Sequence, residues 1–209
     1  MPNNGALKAV PFDACLGADV NGIDIAHGLS PVNVKLIETA LSEYLVLRFR
    51  GQLLTDPELL AFSRNFGELD LPAPNPLGQP FNKEHPEINV ISNVIENGLP
   101  MGDLGDGEIV WHADMTFNEV PPKASLLYGR EIPDTDNNTY FANMYAAYDS
   151  LPVDLKGQIN GRIAIHDASH NSAGMTRSGF NEVTDVLKTP GARHPLVRTH
   201  PQSGRKCLF

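Results

Sequence analysis

At 209 residues, with 41% hydrophobic and 20% charged side chains, the chain fits one substantial globular domain. A formal charge of −9 with no basic stripe argues against general nucleic-acid binding, and no apolar run approaches the roughly 20 residues that span a bilayer. Two distant cysteines, Cys15 and Cys207, and an N-terminus without a basic or apolar leader point to a reducing cytoplasm rather than an exported, disulfide-bonded protein.

The first predicted element is a helix. Ser30 is its N-cap, Pro31 its first residue, and Leu36, Ile37, Ala40, Leu41 and Tyr44 its apolar face. Leu45-Val46-Leu47-Arg48-Phe49 reads as a buried strand. A second helix opens on the capping-box pattern Thr55-Asp56-Pro57-Glu58 and runs to Gly67. The prolines of residues 71–86 make that stretch a loop. Short strands are then expected at 88–92, 111–117, 124–128 and 139–143, part-helix from Tyr145 to Ile159, and strands at 162–166 and 196–199. Residues 168–192, rich in Ser, Asn, Thr and Gly and without periodicity, are expected to form a mobile lid, poorly packed without substrate. Capped helices followed by many short strands give an α+β fold built on a β-sandwich or jelly roll.

Chemistry concentrates in Trp111-His112-Ala113-Asp114-Met115-Thr116-Phe117. In a strand, residues i and i+2 share a face, about 6–7 Å apart, so His112 and Asp114 are placed to grip one metal ion. Two histidines and a carboxylate with open coordination positions form the facial triad of non-haem Fe(II) oxygenases. With 7 His and 14 Asp in the chain, chance alone supplies roughly half of one His-x-Asp, so the motif by itself is weak. His85-Pro86-Glu87 is a rival pair, in the proline-rich loop. Without metal, His112 would simply hydrogen-bond to Asp114 or to backbone.

The wider context of the motif is more specific. Trp111 to Phe117, Pro121-Pro122 and Ala124-Ser125-Leu126-Leu127-Tyr128 resemble the metal-binding region of the TauD/TfdA family of Fe(II)- and 2-oxoglutarate-dependent dioxygenases. The likeness is collinear from about residue 8 to residue 209. It runs through Gly17 to Asp24, Leu45 to Arg50, Phe66-Gly67-Glu68-Leu69, Ile132-Pro133, Asn138-Thr139 and His194 to Pro201 with Gly204-Arg205-Lys206. It implies one dioxygenase domain over residues 1–209, a double-stranded β-helix (jelly roll) with flanking helices. It also implies His112 and Asp114 as iron ligands, with Thr139 bonded to the carboxylate of 2-oxoglutarate. Trp111 is expected to pack beside the metal strand.

The resemblance further implies the family reaction: 2-oxoglutarate and O₂ are consumed, succinate and CO₂ released, and a C–H bond of a small organic, anionic substrate hydroxylated. The family's distal iron-binding His and 2-oxoglutarate-binding Arg find no match before Phe209, so the sequence reads as an incomplete chain lacking the late jelly-roll strands. His166, His170, His194 and His200 follow Asp114, but none stands where the family puts its ligand. A jelly-roll binding protein that has lost its metal is the alternative reading. A zinc hydrolase is disfavoured by the lack of a His-Glu-x-x-His signature. No membrane or nucleic-acid partner is expected; self-association stays open.

Overall fold

The computed structural model describes residues 6–73, 78–104, 110–134 and 138–209. In chain order the strands are β1 (Lys8–Pro11), β2 (Ala18–Asn21), β3 (Leu47–Arg48), β4 (Ile91–Ser92), β5 (Ile95–Glu96), β6 (Leu99–Pro100), β7 (Asp103–Leu104), β8 (Ile163–Ile165), β9 (Arg193–Pro195), β10 (Val197–Thr199) and β11 (Lys206–Leu208). The helices are α1 (Pro31–Tyr44), α2 (Asp56–Ser63), α3 (Met144–Asp149) and α4 (Val153–Ile159). This is the mixed helix and strand content the sequence predicts. No helix of the described residues is long and apolar enough to cross a membrane.

The chain divides into two compact units. The first comprises the chain up to Glu68, Leu126–Arg162 and Leu196–Phe209. Its sheet runs β1-β2-β3, with β1 antiparallel and β3 parallel to β2. Both predicted helices form where their caps dictate. The Ser30 hydroxyl accepts from the Asn33 amide at 3.2 Å, and Glu58 Oε2 accepts from the Thr55 amide at 2.7 Å to complete the capping box. The second helix ends at Ser63, earlier than the glycine at 67 suggests.

Ile25, Ile37, Leu54 and Phe62 form the buried centre of this unit, with Leu47, Phe49, Leu59, Phe66 and Tyr128 packed around them. Phe62 stands edge-on to both Phe49 and Phe66, at centroid distances of 5.6 and 5.2 Å. The Tyr128 hydroxyl accepts from the Leu54 amide at 2.9 Å, which pins the loop before α2 to the segment at 128. Asp19 and Arg48, register partners on β2 and β3, make a bidentate pair of 2.7 and 2.9 Å. At the other end of the chain, β10 and β11 pair antiparallel, and the Arg205 guanidinium lies over the Tyr145 ring of α3 while also reaching Asp149.

The second unit comprises Leu69–Ser125 and Ile163–Pro195. Four short strands form two separate ladders, β4 parallel to β7 and β5 antiparallel to β6. The β5-β6 hairpin turns at Asn97-Gly98, both with positive φ, as a two-residue hairpin turn requires. Strands β8 and β9 pair antiparallel, and the ladder continues past the strand ends through His166 N–H to Ala192 C=O (2.9 Å) and Ala168 N–H to Pro190 C=O (2.8 Å). Gly191 sits inside that continuation with φ +121°, where any side chain would collide with the His166 carbonyl. Residues 74–77 of the expected proline-rich loop lie outside the described residues.

Three expected strands differ. Segments 111–117, 124–128 and 139–143 form no ladder among the described residues, and 114–117 is a turn. A strand exists only where a neighbouring backbone answers its N–H and C=O groups, and β-propensity alone supplies no such neighbour.

Replacing Phe62 with Ala removes the ring that both other aromatics contact. A loss of about 3–5 kcal/mol is expected. Urea unfolding followed by far-UV circular dichroism measures it, and a midpoint equal to that of the unmodified chain would contradict this account of the core.

Candidate active site

His112 and Asp114 lie in the second unit and not on the predicted strand: His112 sits in irregular backbone and Asp114 opens a turn. Residues 114–117 form the turn, Met115 takes a positive φ of 49°, and the Asn118 amide returns to the Met115 carbonyl at 3.1 Å. A left-handed residue without glycine costs roughly 1–2 kcal/mol, so something must hold it. The correction extends to Trp111. With no sheet face beside it, the indole is 72% exposed and does not pack against the motif.

The turn brings the two predicted ligands together by a different route. His112 Nε2 stands 3.2 Å from Asp114 Oδ1, with the side chains 39% and 53% exposed. His112 Nδ1 lies 2.8 Å from the Val110 carbonyl oxygen, which can only accept. The imidazole therefore donates from Nδ1, and its Nε2 faces the carboxylate. With a neutral ring these are two acceptors in van der Waals contact, an arrangement that is favourable only when a cation is shared between them. That cation is a proton or a metal ion. A separation near 3 Å is also the edge of an octahedron with bonds of roughly 2.1 Å. The donor set thus fits a small divalent metal, and the Nδ1 to carbonyl bond is the usual outer contact that fixes a metal-binding His.

No third His, Cys, Asp or Glu joins the pair among the described residues. The four later histidines are engaged elsewhere. His166 and His194 rings meet edge to face at 5.0 Å, His170 Nδ1 lies 2.7 Å from Asp167, and His200 packs on Tyr145 and bonds Ser203. His85 starts a turn closed by the Ile88 amide at 3.0 Å. Thr139 belongs to the first unit and is exposed.

Sequence reasoning missed what supports the turn. His194 on β9 is 5% exposed, and its Nε2 lies 2.9 Å from the Thr116 carbonyl and 3.0 Å from the Asn118 carbonyl. Two carbonyls fix Nε2 as the protonated nitrogen. Beside it the Ala192 amide donates to the Phe117 carbonyl at 2.9 Å. The His194-Pro195 dipeptide stands out in the sequence, but nothing local announces a partner nearly 80 residues earlier.

The predicted lid begins with an ordered knot. The Asn171 amide bonds the Met175 carbonyl, His170 bridges Thr176, and the Arg177 amide reaches the Ser169 carbonyl at 2.8 Å. Arg177 also donates to the Ala168 carbonyl, and its guanidinium lies 4.4 Å over the Phe117 ring. Burial pushes the Asp167 carboxyl up, but the Ser169 hydroxyl, the His170 imidazole and the Ser169 amide outweigh it and hold the group below its usual range.

A protein-family model described as taurine catabolism dioxygenase TauD, TfdA family matches residues 8–209. The chain belongs to this family. An alpha-ketoglutarate-dependent 2,4-dichlorophenoxyacetate dioxygenase of Cupriavidus pinatubonensis is 34% identical, with 98% of this chain and 73% of the relative covered. A (S)-phenoxypropionate/alpha-ketoglutarate-dioxygenase of Sphingobium herbicidovorans is 31% identical, covering 98% and 70%. Among solved structures, AAD-2 in complex with Mn(II) and N-oxalylglycine superposes with a TM-score of 0.68 at 29% identity, over 98% of this chain and 69% of that one. A putative alpha-ketoglutarate-dependent taurine dioxygenase from Burkholderia xenovorans gives 0.70 at 30% identity, over 98% and 63%. This TauD/TfdA chain is therefore a member of an enzyme family of alpha-ketoglutarate-dependent dioxygenases, and it spans 63–73% of the length of these four proteins.

The depressed Asp167 carboxyl carries a pH dependence. A group whose folded value lies below its unfolded one stabilises above the unfolded value and loses that contribution as pH falls through the folded value. The knot at 167–177 should hold at neutral pH and loosen below about pH 4. Hydrogen-exchange protection of the Ser169 and Arg177 amides, compared between this chain and Asp167→Asn, reads it. Equal protection in both at neutral pH would be the contrary result.

Proposed function

We propose that the chain is an Fe(II)- and 2-oxoglutarate-dependent dioxygenase that hydroxylates a small anionic organic substrate, with His112 and Asp114 as two of the iron ligands. The observation that carries this is the facing pair of acceptors, His112 Nε2 and Asp114 Oδ1, 3.2 Å apart, with the far ring nitrogen committed to Val110. Family membership supports 2-oxoglutarate as the cosubstrate, and iron is the metal expected of the family. Thr139 is proposed to bond the 2-oxoglutarate carboxylate, on the strength of its place in the collinear resemblance. The jelly-roll architecture, a lid at 168–192 and a cytoplasmic location belong to the same reading. A further His and an Arg are needed to complete the family pattern, and residues 1–209 offer no match for them.

His112 and Asp114 would hold the iron, which with 2-oxoglutarate and O₂ would supply the oxidising power for C–H hydroxylation. The protein's own contributions are local. Val110 fixes the tautomer of His112, so the imidazole needs no reorganisation to present a lone pair. Asp114 supplies negative charge and keeps the metal's affinity tied to its ionised form. Relatives named for phenoxyacetate and sulfate ester substrates favour an anionic ligand here. A chain of net charge −9 needs a local cation to attract one. Arg177 is a half-buried guanidinium stacked on Phe117, three residues after Asp114, with the carboxylates of Asp167 and Asp103 near enough to attract it.

Anaerobic titration with Fe(II) and 2-oxoglutarate, followed by the weak visible charge-transfer band, tests the metal assignment. The band should form with the unmodified chain and be lost in His112→Ala and in Asp114→Ala. A band that survives both substitutions would place the metal elsewhere. No band at all, with Mn(II) binding also unchanged by either substitution, would favour the metal-free binding protein.

Arg177→Met should weaken retention of phenoxyacetate by roughly 10–100-fold, the value of a charge-assisted contact. It should leave the uncharged phenoxyacetamide unaffected. Isothermal titration with both compounds separates charge recognition from general loss of fit, and equal weakening of the two would remove Arg177 from this role.

A further inference from the structure

We infer that His194 is a positioning residue for the metal site: from β9 it holds the turn that carries Asp114 in metal-binding geometry. The inference rests on His112 and Asp114 being the metal ligands. It comes from a set of contacts that a solely packed histidine would not make. Nε2 donates to two carbonyls of one turn, Thr116 at 2.9 Å and Asn118 at 3.0 Å, and the Ala192 amide two residues earlier donates to the carbonyl between them, Phe117, at 2.9 Å. Three consecutive carbonyls of the turn are thus bonded from a single strand end.

Those bonds address the element that most needs support. Met115, directly after Asp114, takes a left-handed conformation that its side chain disfavours, so the turn relaxes to another shape unless its carbonyls are held. Relaxation would swing Asp114 relative to His112, because the imidazole is tethered separately, through Nδ1 to Val110. The two ligands have two different anchors, and His194 belongs to the carboxylate's. Its own backing is rigid: β9 pairs with β8, the ladder runs on through Ala192 and Pro190, and the His166 ring stands edge-on at 5.0 Å. With 5% exposure, water does not replace the bonds when the ring is removed, and the carbonyls are left to reorganise.

Mn(II) is the probe, read by the loss of its free electron paramagnetic resonance signal in the full chain, alongside thermal unfolding. His112→Ala establishes that binding is at this site. In His194→Ala the Mn(II) affinity should drop roughly 10–100-fold, the usual effect of an outer contact. His194→Gln, whose amide reaches as far and still donates, should recover most of it, whereas His194→Asn, too short to reach both carbonyls, should not. Metal affinity unchanged in folded His194→Asn or His194→Ala, with only the unfolding temperature lowered, would reduce His194 to a core residue and overturn the inference. Gln and Asn variants that behave alike would overturn it equally. If His112→Ala does not change Mn(II) binding, the site assignment itself has failed, a result distinct from a His194 effect that is absent while the His112 effect is present. Should His194→Ala not fold, the comparison of Gln with Asn carries the test alone.

Discussion

Two acceptor atoms held face to face need something positive between them, and Val110 and the end of β9, bonded to the ring and to the turn, hold them in that arrangement. His112 Nε2 and Asp114 Oδ1 would drift apart on a free chain, since neither gains from the other without a shared cation. Here the imidazole is tied back to Val110 and the turn bearing the carboxylate is tied to the end of β9. The protein supplies the approach in advance, so under the proposed assignment a metal entering the site would meet two ligands already close to their bonding positions. Pre-organisation of this kind shifts the cost of bringing two anionic or lone-pair donors together onto the folding of the scaffold.

That division of labour explains which parts of the chain are legible in its sequence. Caps are local chemistry: Ser30 before Pro31, and Thr55 three residues before Glu58, announce their helices because the groups that satisfy the orphan amides lie within one turn of sequence. The Asn97-Gly98 hairpin obeys an equally local rule, although its two-residue strands are too short to show an alternating pattern of their own. The His-x-Asp motif is legible as chemistry and not as conformation. Alternation at i, i+2 suits a strand, but His112 and Asp114 meet here in irregular backbone that leads into a turn with one left-handed residue. Methionine at that position gives no warning, where glycine would.

The support for the site is not legible at all. His194 and Ala192 bond carbonyls of Thr116, Phe117 and Asn118, and backbone carbonyls are the same in every residue, so no side-chain pattern marks the partners. Likewise Ala124 to Tyr128 and Thr139 to Asn143 carry β-forming residues yet make no ladder among the described residues. Strand propensity records a side chain's fit to a pleated surface; whether a neighbouring strand is there depends on chain topology.

The segment at 168–192 touches the motif at both of its ends. The Val110 amide lies 3.3 Å from the Ser172 carbonyl, so the residue that orients His112 through its carbonyl is itself bonded to the knot through its N–H. Arg177, closing that knot, stacks on Phe117 at the end of the turn. Val110 is held at both of its backbone groups, so a displacement of the knot reaches the imidazole through one residue and the turn through one ring. Such short connections favour a segment that responds to what binds beside it over one that merely covers it. They also place the cationic Arg177 where the arrival of an anionic ligand would be felt by the same turn that carries Asp114. Under the proposed assignment, substrate recognition and metal-ligand geometry would depend on one another by way of two contacts, Ser172 with Val110 and Arg177 with Phe117.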